Sequence, residues 1–409
     1  GARALLVARD GGEAKVPVVR VASTPRALGL LAAEHRRRWS GRLVAVAGSA
    51  GKTTTRSTIA AALDARAPGA VHFVHGNLNN RIGVPLVLLG LGAQHAYAVV
   101  EVGTNTTGEV AELSALAAPD AGVLTLVGLE HTAGLGSLDA IEREEGSLFA
   151  HVASGGLAVG NADDERVLRQ LERAPASLLR RTYGFAASAD YRVLARALVD
   201  QGRSRIQLGR PAQPPLQLDC PLLGKAGASA LAGAVLVAEL LTGSSLDRDA
   251  LEAAFTRVGV GEPGRLSIVS LANGALIIDD SYNSNPASLA SSVAAAAELA
   301  RDRGSRLLLA LGEMRELGDD SPRLHRDASA ALLDVPAAWV VAIGGDARWF
   351  LEPFERPGVE TRFVPDAGAA ARLLQQLLQP SDVLLVKASR GVRAERIVEA
   401  CLQHFGRAD

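Results

Sequence analysis

Residues 48–54 have the residue types of a phosphate-binding loop. They directly follow an apolar run, residues 43–47, and read Gly48-Ser49-Ala50-Gly51-Lys52-Thr53-Thr54. Glycines let backbone N–H groups approach a phosphate, a following helix N-terminus adds positive potential, and lysine supplies a mobile cation. The Thr53 hydroxyl suits Mg²⁺. We therefore predict a strand, a phosphate-binding loop (P-loop) and a helix, with a plain strand-to-helix turn as the alternative.

Two further side chains are predicted at the ends of parallel strands. Glu101 lies in the apolar run 96–102, and His131 follows the run 121–127. Ligands of open parallel sheets bind at the carboxyl ends of the strands. A carboxylate there suits Mg²⁺, and an imidazole suits a ligand or an acid–base group. A solvated carboxylate and a structural histidine remain the alternatives.

The second half of the chain repeats this arrangement of polar residues after apolar runs. Residues 279–286 read Asp-Asp-Ser-Tyr-Asn-Ser-Asn-Pro, and their carboxylates and amides could grip ribose and phosphate. Asn285 also fits a helix cap before Pro286. Segments 312–318 and 387–391 follow two later runs, where Lys387 and Arg390 could hold a substrate carboxylate. Ordinary turns with solvated charges are the alternative for both segments.

Composition favours an α/β protein without a nucleic-acid partner. The 409 residues include 43 Lys+Arg and 44 Asp+Glu, a net charge of −1, which gives no basic footprint. Two cysteines without metal spacing, and no signal peptide, predict a cytoplasmic location. The apolar stretch 226–241 is Ala-rich and contains Glu239, so we predict a buried helix and no membrane span. Lysine occurs four times, which makes the lysine of the P-loop more notable.

Strand and helix patterns alternate along most of the chain, which predicts parallel sheets covered on both faces. Short alternating segments between about 181 and 224 predict a small antiparallel appendage, followed by two helices. The Gly-Pro-rich stretch 259–264 is the predicted linker. We predict a P-loop central domain with a mainly parallel sheet, residues 41–262, and a C-terminal Rossmann-like domain, residues 263–409, after a short N-terminal piece, residues 1–40.

The order of these motifs resembles the Mur ligase family. The P-loop is followed by Asn77-Leu78-Asn79-Asn80-Arg81-Ile82-Gly83-Val84-Pro85, then by Glu101, then by His131 before Gly-Leu-Gly-Ser. The Asp-Asp-Ser-Tyr-Asn, Gly-Glu-Met-Arg-Glu-Leu-Gly and Lys-Ala-Ser-Arg-Gly segments extend the resemblance. It covers about residues 1 to 405.

The resemblance implies an ATP- and Mg²⁺-dependent amide-bond ligase of peptidoglycan precursor synthesis. ATP would phosphorylate the C-terminal carboxylate of a UDP-linked muramoyl tripeptide. The amine of D-alanyl-D-alanine would then attack the acyl phosphate, giving the amide, ADP and phosphate. We expect a monomer that closes its second domain over the site and excludes water from the acyl phosphate.

The resemblance also implies a set of site residues. The expected catalytic residues are Lys52, Glu101, His131 and Arg265. ATP would be bound by the P-loop with Asp280 and Asn283. The magnesium ligands would be Thr53, Glu101 and His131. The residues expected to face the substrates are Asn79, Asn80, Lys387, Ser389 and Arg390.

The sequence departs from the family pattern in several places. Its first residues resemble only the end of the family's N-terminal domain, so we expect residues 1–40 to be a remnant of that substrate domain. Glu145 stands where most members carry a lysine that CO₂ converts to a carbamate. We hypothesise that Glu145 replaces the carbamate as a magnesium ligand, with a surface helix glutamate as the alternative. The amides that contact adenine in the family are absent from residues 224–231, and Arg81 stands where an acid is common.

Two other functions stay open beside this one. A related ligase acting on a different acceptor or amine would fit the departures. A non-catalytic nucleotide-binding homologue is less favoured, because Lys52, Thr53, Glu101 and His131 are all present.

Overall fold

The computed structural model of the chain describes residues 3–8, 15–130, 132–199, 202–354 and 357–408. Its strands are β1 Leu5–Val7, β2 Val18–Arg20, β3 Arg42–Ala47, β4 Val71–His72, β5 Tyr97–Glu101, β6 Ala121–Leu124, β7 Leu157–Asn161, β8 Leu179–Gly184, β9 Tyr191–Val199, β10 Arg203–Arg210, β11 Gln213–Cys220, β12 Ser267–Ser270, β13 Leu276–Asp280, β14 Leu307–Gly312, β15 Ala337–Ile343, β16 Glu360–Val364 and β17 Val383–Lys387. Its α-helices are α1 Thr24–Arg38, α2 Lys52–Asp64, α3 Gly83–Leu89, α4 Glu109–Ala117, α5 Thr132–Leu135, α6 Leu138–Gly146, α7 Glu165–Arg173, α8 Gly224–Thr242, α9 Arg248–Val258, α10 Pro286–Asp302, α11 Ser321–Ala330, α12 Ala367–Leu377 and α13 Glu395–Phe405.

A nine-stranded sheet forms the central domain, in the order β11-β10-β9-β8-β7-β6-β3-β5-β4. Side chains of β3 alternate between two cores. Val44 and Val46 pack towards α2 and α8, whereas Leu43 and Ala45 pack in the core on the opposite face. Because successive side chains of a strand point to opposite faces, a continuous apolar run such as β3 requires cover on both. This arrangement confirms the predicted P-loop domain with a mainly parallel sheet.

The predicted antiparallel segment is present, and it continues one edge of this sheet. Strand β8 pairs parallel with both β7 and β9, and only β9, β10 and β11 pair antiparallel. The sequence of β8, Leu-Arg-Arg-Thr-Tyr-Gly, starts with exposed polar residues and lacks the apolar run of a buried strand. The connection between the parallel and antiparallel parts was missed for that reason.

The apolar helix α8 is a core element of the central domain. It is long and apolar enough to cross a membrane by length and composition, but 78% of its apolar window is buried inside the protein. It packs along α2, which begins at the P-loop. The helix predicted as buried therefore supports the phosphate-binding helix from behind. Cys220, at the end of β11, and Cys401 in α13 are both buried and free.

The C-terminal domain is built on a six-stranded sheet, in the order β12-β13-β17-β14-β15-β16. All its pairs are parallel except the edge pair β12–β13. Helices cover both faces and give two separate cores. The predicted Rossmann-like domain is confirmed, and the carboxyl ends of β13, β14 and β17 carry the three polar segments identified from the sequence.

The two domains are in direct contact. Leu223 belongs to the core of the C-terminal domain, and Leu129 and Leu198 pack against it. Arg196 of β9 pairs with Glu298 of α10. The Thr132 hydroxyl donates to the Leu317 carbonyl at 3.1 Å.

The linker itself is anchored to the P-loop helix. Arg56 of α2, 3% exposed, pairs with Glu262 and donates to the Gly76 carbonyl at 2.8 Å. The Ser57 hydroxyl donates to the same Glu262 carboxylate at 3.1 Å. The segment that joins the domains is therefore fixed to the helix that starts at the phosphate site.

Glu239 of α8 offers a stability test of the central domain. Its buried carboxylate accepts hydrogen bonds from Tyr191 at 2.8 Å, Arg210 at 2.7 Å and the Leu246 N–H at 2.8 Å. We expect Glu239→Ala to destabilise the domain by about 3–5 kcal/mol, because the Arg210 guanidinium would stay buried without its counter-charge. Thermal unfolding measures this. The control Glu34→Gln, at a half-exposed pair on α1, is expected to change the melting temperature little, and equal effects of the two would contradict the argument.

Candidate active site

The P-loop connects β3 to α2 and has a backbone that only glycine permits at its first position. Gly48 has φ +125°, and a Cβ built there would lie 2.3 Å from the Thr125 hydroxyl oxygen. Ser49 donates its N–H to the Leu126 carbonyl at 2.6 Å. Gly51 is left-handed, and α2 has no side-chain cap. The first N–H groups of α2 thus point into the loop, as a phosphate site requires.

Lys52 lies among carboxylates. Its ammonium bonds to the Gly48 carbonyl and lies 3.3 Å from the Glu130 carboxylate. Burial alone would lower the pKa of Lys52, but the carboxylates of Glu130, Glu145 and Glu101 together outweigh burial and raise it. The lysine therefore stays charged and is held ready for a phosphate.

Glu145 is completely buried directly behind the P-loop, so it is not a surface glutamate. One carboxylate oxygen accepts the Gly48 N–H at 2.7 Å, and the other, Oε1, has no hydrogen-bond partner. Burial raises the pKa of Glu145 from 4.5 to about 7, Lys52 opposes the change, and Glu130 adds to it. A buried carboxylate oxygen without a partner is costly unless a cation or a proton completes it.

Both carboxylate oxygens of Glu101, at the end of β5, accept hydrogen bonds. It accepts hydrogen bonds from the Thr53 hydroxyl at 2.8 Å and from the Asn79 amide at 2.9 Å. The Arg56 guanidinium is 3.7 Å away. Thr53 and Glu101, which the sequence placed at separate strand ends, therefore meet as one pair of oxygen donors.

Two arginines flank the ring of Tyr282, which follows β13. The guanidinium of Arg265, in the linker, lies 4.1 Å from the ring centroid, and that of Arg390 lies 5.3 Å from it. Such contacts hold a planar cation in place while leaving its N–H groups available. The tyrosine thus positions two cations at the entrance to the P-loop.

Three adjoining cavities lie around these residues, between the domains. The P-loop cavity, of about 250 Å³, is lined by the P-loop, Glu101, Arg265, Tyr282 and Arg390. The C-terminal cavity, of about 200 Å³, is lined by residues of the C-terminal domain and by Glu130. The α8 cavity lies between the first turns of α2 and α8, the linker and Asp280. A substrate with a charged and an apolar end could occupy two of them at once.

The expected nucleotide residues do not share one cavity. Asp280 borders the α8 cavity, where its carboxylate accepts the Ser292 hydroxyl at 2.6 Å and the Lys387 ammonium at 2.5 Å. Asn283 borders the P-loop and C-terminal cavities instead. The two residues are therefore available to different parts of a ligand.

The expected substrate residues are also divided. Ser389 and Arg390 line the C-terminal cavity, whereas Lys387 is buried against Asp280 and the Asn283 carbonyl. Asn79 and Asn80 line the P-loop cavity, although the Asn79 amide is bonded to Glu101. Lys387 thus fixes Asp280 and the turn after β13. His131, expected as a catalytic group and magnesium ligand, lies outside the described residues.

Two site residues, Glu130 and Tyr282, were given no role of their own in the sequence analysis, and the contacts of Asn285 go beyond the helix cap predicted for it. Asn285 caps α10, as predicted, but its amide also donates to the Ser49 carbonyl of the P-loop at 3.2 Å and to Glu130 at 3.3 Å. These contacts join residues more than 150 positions apart, so local spacing gave no signal for them. Glu130 could have been found from the sequence, because it directly precedes His131, which was predicted as a ligand or an acid–base group.

The oxygen donors fit Mg²⁺, which usually takes few protein ligands and keeps water or phosphate oxygens. Among the described residues, no group of three or more His, Cys, Asp or Glu side chains is arranged to hold a metal. The donors that border the P-loop cavity are the Thr53 hydroxyl and the Glu101 carboxylate. The unpartnered oxygen of Glu145 is a third, buried donor nearby.

Both domains match known protein sequences. The sequence model described as the Mur ligase middle domain matches residues 46–238, and the one described as Mur ligase, glutamate ligase domain matches residues 264–390. The chain is 32% identical over 408 residues to the UDP-N-acetylmuramoyl-tripeptide–D-alanyl-D-alanine ligase of Escherichia coli K12, covering 99% of this chain and 86% of the relative.

Solved structures give the same result. A crystal structure of MurF from Acinetobacter baumannii superposes with a TM-score of 0.84 at 27% identity, covering 98% of this chain and 84% of that one. MurF ligase from Thermotoga maritima in complex with ADP also has a TM-score of 0.84, over 99% of this chain and 89% of that one. Because the two sequences are only 24% identical, this second match is evidence for a shared fold and for nothing more.

The raised pKa of Glu145 predicts how stability changes with pH. The folded state binds this proton more tightly than the unfolded chain, so the group's contribution falls as the pH rises from about 4.5 to about 7. We expect nucleotide-free Glu145→Gln, which keeps an acceptor for the Gly48 N–H, to be more stable than the parent near pH 8 by roughly 1–3 kcal/mol. Melting temperatures of both proteins across a pH series measure the difference.

Glu142, on the same helix, is the matched control. Hydrogen bonds from Arg169, with Gln170 and Arg166 adding to the effect against burial, lower its pKa to about 2. Its stabilising contribution is therefore present above its ordinary pKa, and Glu142→Gln is expected to lower stability at pH 8. A Glu145→Gln protein that also loses stability at pH 8 would contradict the prediction.

Proposed function

This chain belongs to the Mur ligase family, and we propose that it is the ATP-dependent ligase that adds D-alanyl-D-alanine to UDP-N-acetylmuramoyl tripeptide. The single observation that carries the proposal is the assembled P-loop cavity, in which Lys52, Thr53 and Glu101 lie opposite Arg265 and Arg390. We take the two substrates from the name of the Escherichia coli relative. We place the enzyme in the cytoplasm, as a monomer, in peptidoglycan precursor synthesis.

We propose that the triphosphate lies along the P-loop and that adenosine occupies the α8 cavity. The first turn of α8 gives that cavity an apolar wall, with Leu223, Ala226 and Ala230, in place of the absent amides. Ser288 and Ser292, with Asp280, form a polar wall suited to ribose hydroxyls. Adenine would then be held mainly by apolar contact, and the sugar by hydrogen bonds.

In this arrangement Lys52 and the N-terminus of α2 would hold the transferred phosphoryl group, and Arg265 would contact it from the linker. Phosphoryl transfer needs charge neutralisation and alignment, which these groups supply. Thr53 and Glu101 would hold Mg²⁺, with His131 and Glu145 as further ligands, and a bound Mg²⁺ would neutralise part of the phosphate charge.

We propose that the dipeptide occupies the C-terminal cavity, with its carboxylate towards Arg390, Arg315 and Ser389. Its ammonium end would then point towards the P-loop cavity, where the acyl phosphate forms. Arg81, which suggested another acceptor, is paired with Glu112 at 2.8 Å and with Glu109 at 3.5 Å on α4. Both of these partners of Arg81 lie within the central domain.

The test is ADP release with ATP, Mg²⁺, D-alanyl-D-alanine and UDP-muramoyl tripeptide. We expect turnover only when both substrates are present, and Lys52→Met should lower kcat/KM by at least about 100-fold, because the charge on the transferred phosphoryl group loses its cation. The control Lys15→Met changes an exposed lysine near the N-terminus and should be unaffected. ATP binding without turnover would indicate another acceptor, and no ATP binding would indicate the non-catalytic homologue.

Magnesium dependence tests the proposed role of Glu145. We expect Glu145→Gln to raise the Mg²⁺ concentration for half-maximal activity about 10- to 100-fold, the cost of losing one supporting carboxylate. Glu145→Lys should regain activity only with added bicarbonate, because a carbamate would restore the carboxylate. If Glu145→Gln responded to Mg²⁺ as the parent does, Glu145 would support the P-loop and would not be a magnesium ligand.

A further inference from the structure

Glu130 lies where the P-loop and C-terminal cavities meet. Among the described residues, it is the one central-domain residue that lines the C-terminal cavity, and it also lines the P-loop cavity. One carboxylate oxygen lies 3.3 Å from the Lys52 ammonium, and the other accepts the Asn285 amide at 3.3 Å. The side chain is nearly buried, at 6% exposure. Both domains and the P-loop therefore fix the direction of this carboxylate.

The proposed reaction has a requirement that the groups described so far do not meet. The dipeptide arrives as an ammonium, which has no lone pair and cannot attack a carbonyl carbon. A base must take a proton at the place where the amine meets the acyl phosphate. That place is the boundary between the two cavities, since the dipeptide carboxylate is directed to Arg315 and Ser389, which line the C-terminal cavity and not the P-loop cavity.

We propose that Glu130 is the catalytic base that accepts the proton of the incoming ammonium, an inference that rests on the proposed function. A carboxylate attracts the ammonium and orients it, so Glu130 also selects a donor with a free amino group. It is closest to the phosphate end of the boundary, because its oxygen contacts the lysine of the P-loop. A phosphate that takes Lys52 as its counter-charge would free that oxygen to accept a proton from the amine.

Amide formation conserves protons and electron pairs. Glu130 takes one proton, and the nitrogen lone pair forms the C–N bond with the acyl carbon. The tetrahedral intermediate then breaks its C–O bond to phosphate, and phosphate leaves with that electron pair. The second nitrogen proton leaves on the phosphate, which gives the neutral amide and hydrogen phosphate, while Glu130 returns its proton to water.

Glu316 is the competing group, because it is the other carboxylate that lines both cavities. It lies in the turn after β14 with a left-handed backbone, φ +66°. It belongs to the C-terminal domain, whereas Glu130 is part of the central domain, which carries the P-loop. Only Glu130 keeps a fixed position relative to the acyl phosphate.

The test compares two nucleophiles on Glu130→Gln, which keeps the size of the side chain and a partner for Asn285. With D-alanyl-D-alanine we expect kcat to fall about 10²- to 10⁴-fold, the usual contribution of a general base. The residual kcat/KM for the dipeptide should rise about tenfold per pH unit, following the free amine. With hydroxylamine, an amine already unprotonated at neutral pH, acyl hydroxamate formation and ADP release should fall far less than with the dipeptide, so the difference between the two losses isolates the proton transfer.

The losses with the two nucleophiles distinguish a catalytic base from a residue that only supports the P-loop. Equal losses with both nucleophiles would overturn the proposal, since Glu130 would then support only the P-loop or phosphoryl transfer. A loss specific to the dipeptide in Glu316→Gln but not in Glu130→Gln would assign the base to Glu316. Glu130→Asp keeps the carboxylate and should retain part of the rate and the parent pH profile. If the parent enzyme forms no hydroxamate from the muramoyl tripeptide, the proposed function itself fails, independently of Glu130.

Discussion

The charge balance around one ammonium group, that of Lys52, is the constraint on which the site depends. Three carboxylates surround it, and each comes from a different element: Glu101 from β5, Glu130 from the segment after β6, and Glu145 from α6. The Arg56 guanidinium, 3.7 Å from Glu101, shares this charge with Lys52, but two cations do not balance three anions, and an unbalanced buried charge is costly. The protein therefore stores negative charge that protons, metal cations or the arginines of the other domain must offset. Burial and the Glu130 carboxylate raise the pKa of Glu145, so a proton there offsets part of this charge.

This charge balance couples the P-loop to the position of the C-terminal domain. Asn285 bonds to the Ser49 carbonyl and to Glu130, so the closed domain contributes directly to the environment of Lys52. At the hinge, Arg56 links Glu262 to the same helix that begins at the P-loop. Asn285 and Glu262 therefore connect the C-terminal domain and its linker to the P-loop and to α2. Contacts of the C-terminal domain and the phosphate-binding loop therefore converge on one element, α2.

The sequence predicted the parts of this site whose determinants are local. The P-loop follows from glycines and a lysine at fixed spacing after an apolar strand, and Glu101 from its position at a strand end. The sequence did not predict the contacts of Glu130 with Asn285, or of Lys387 with Asp280, since these residues are far apart in the chain and meet only through packing of the two sheets. The continuous nine-stranded sheet was missed because β8 is too polar at its start to be recognised as a buried parallel strand.

Helix α6 shows why charge patterns alone mislead at such sites. Its Glu-Arg-Glu-Glu run, residues 142–145, would ordinarily be a solvated face, yet all three glutamates are buried. Glu142 accepts hydrogen bonds from Arg166, Arg169 and Gln170, and Glu144 accepts the N–H groups of Gly108 and Val110 at the start of α4. With these two anchors, α6 cannot shift to relieve the burial of Glu145 behind Gly48. A carboxylate held this firmly by its own helix needs no long side chain to reach the Gly48 N–H.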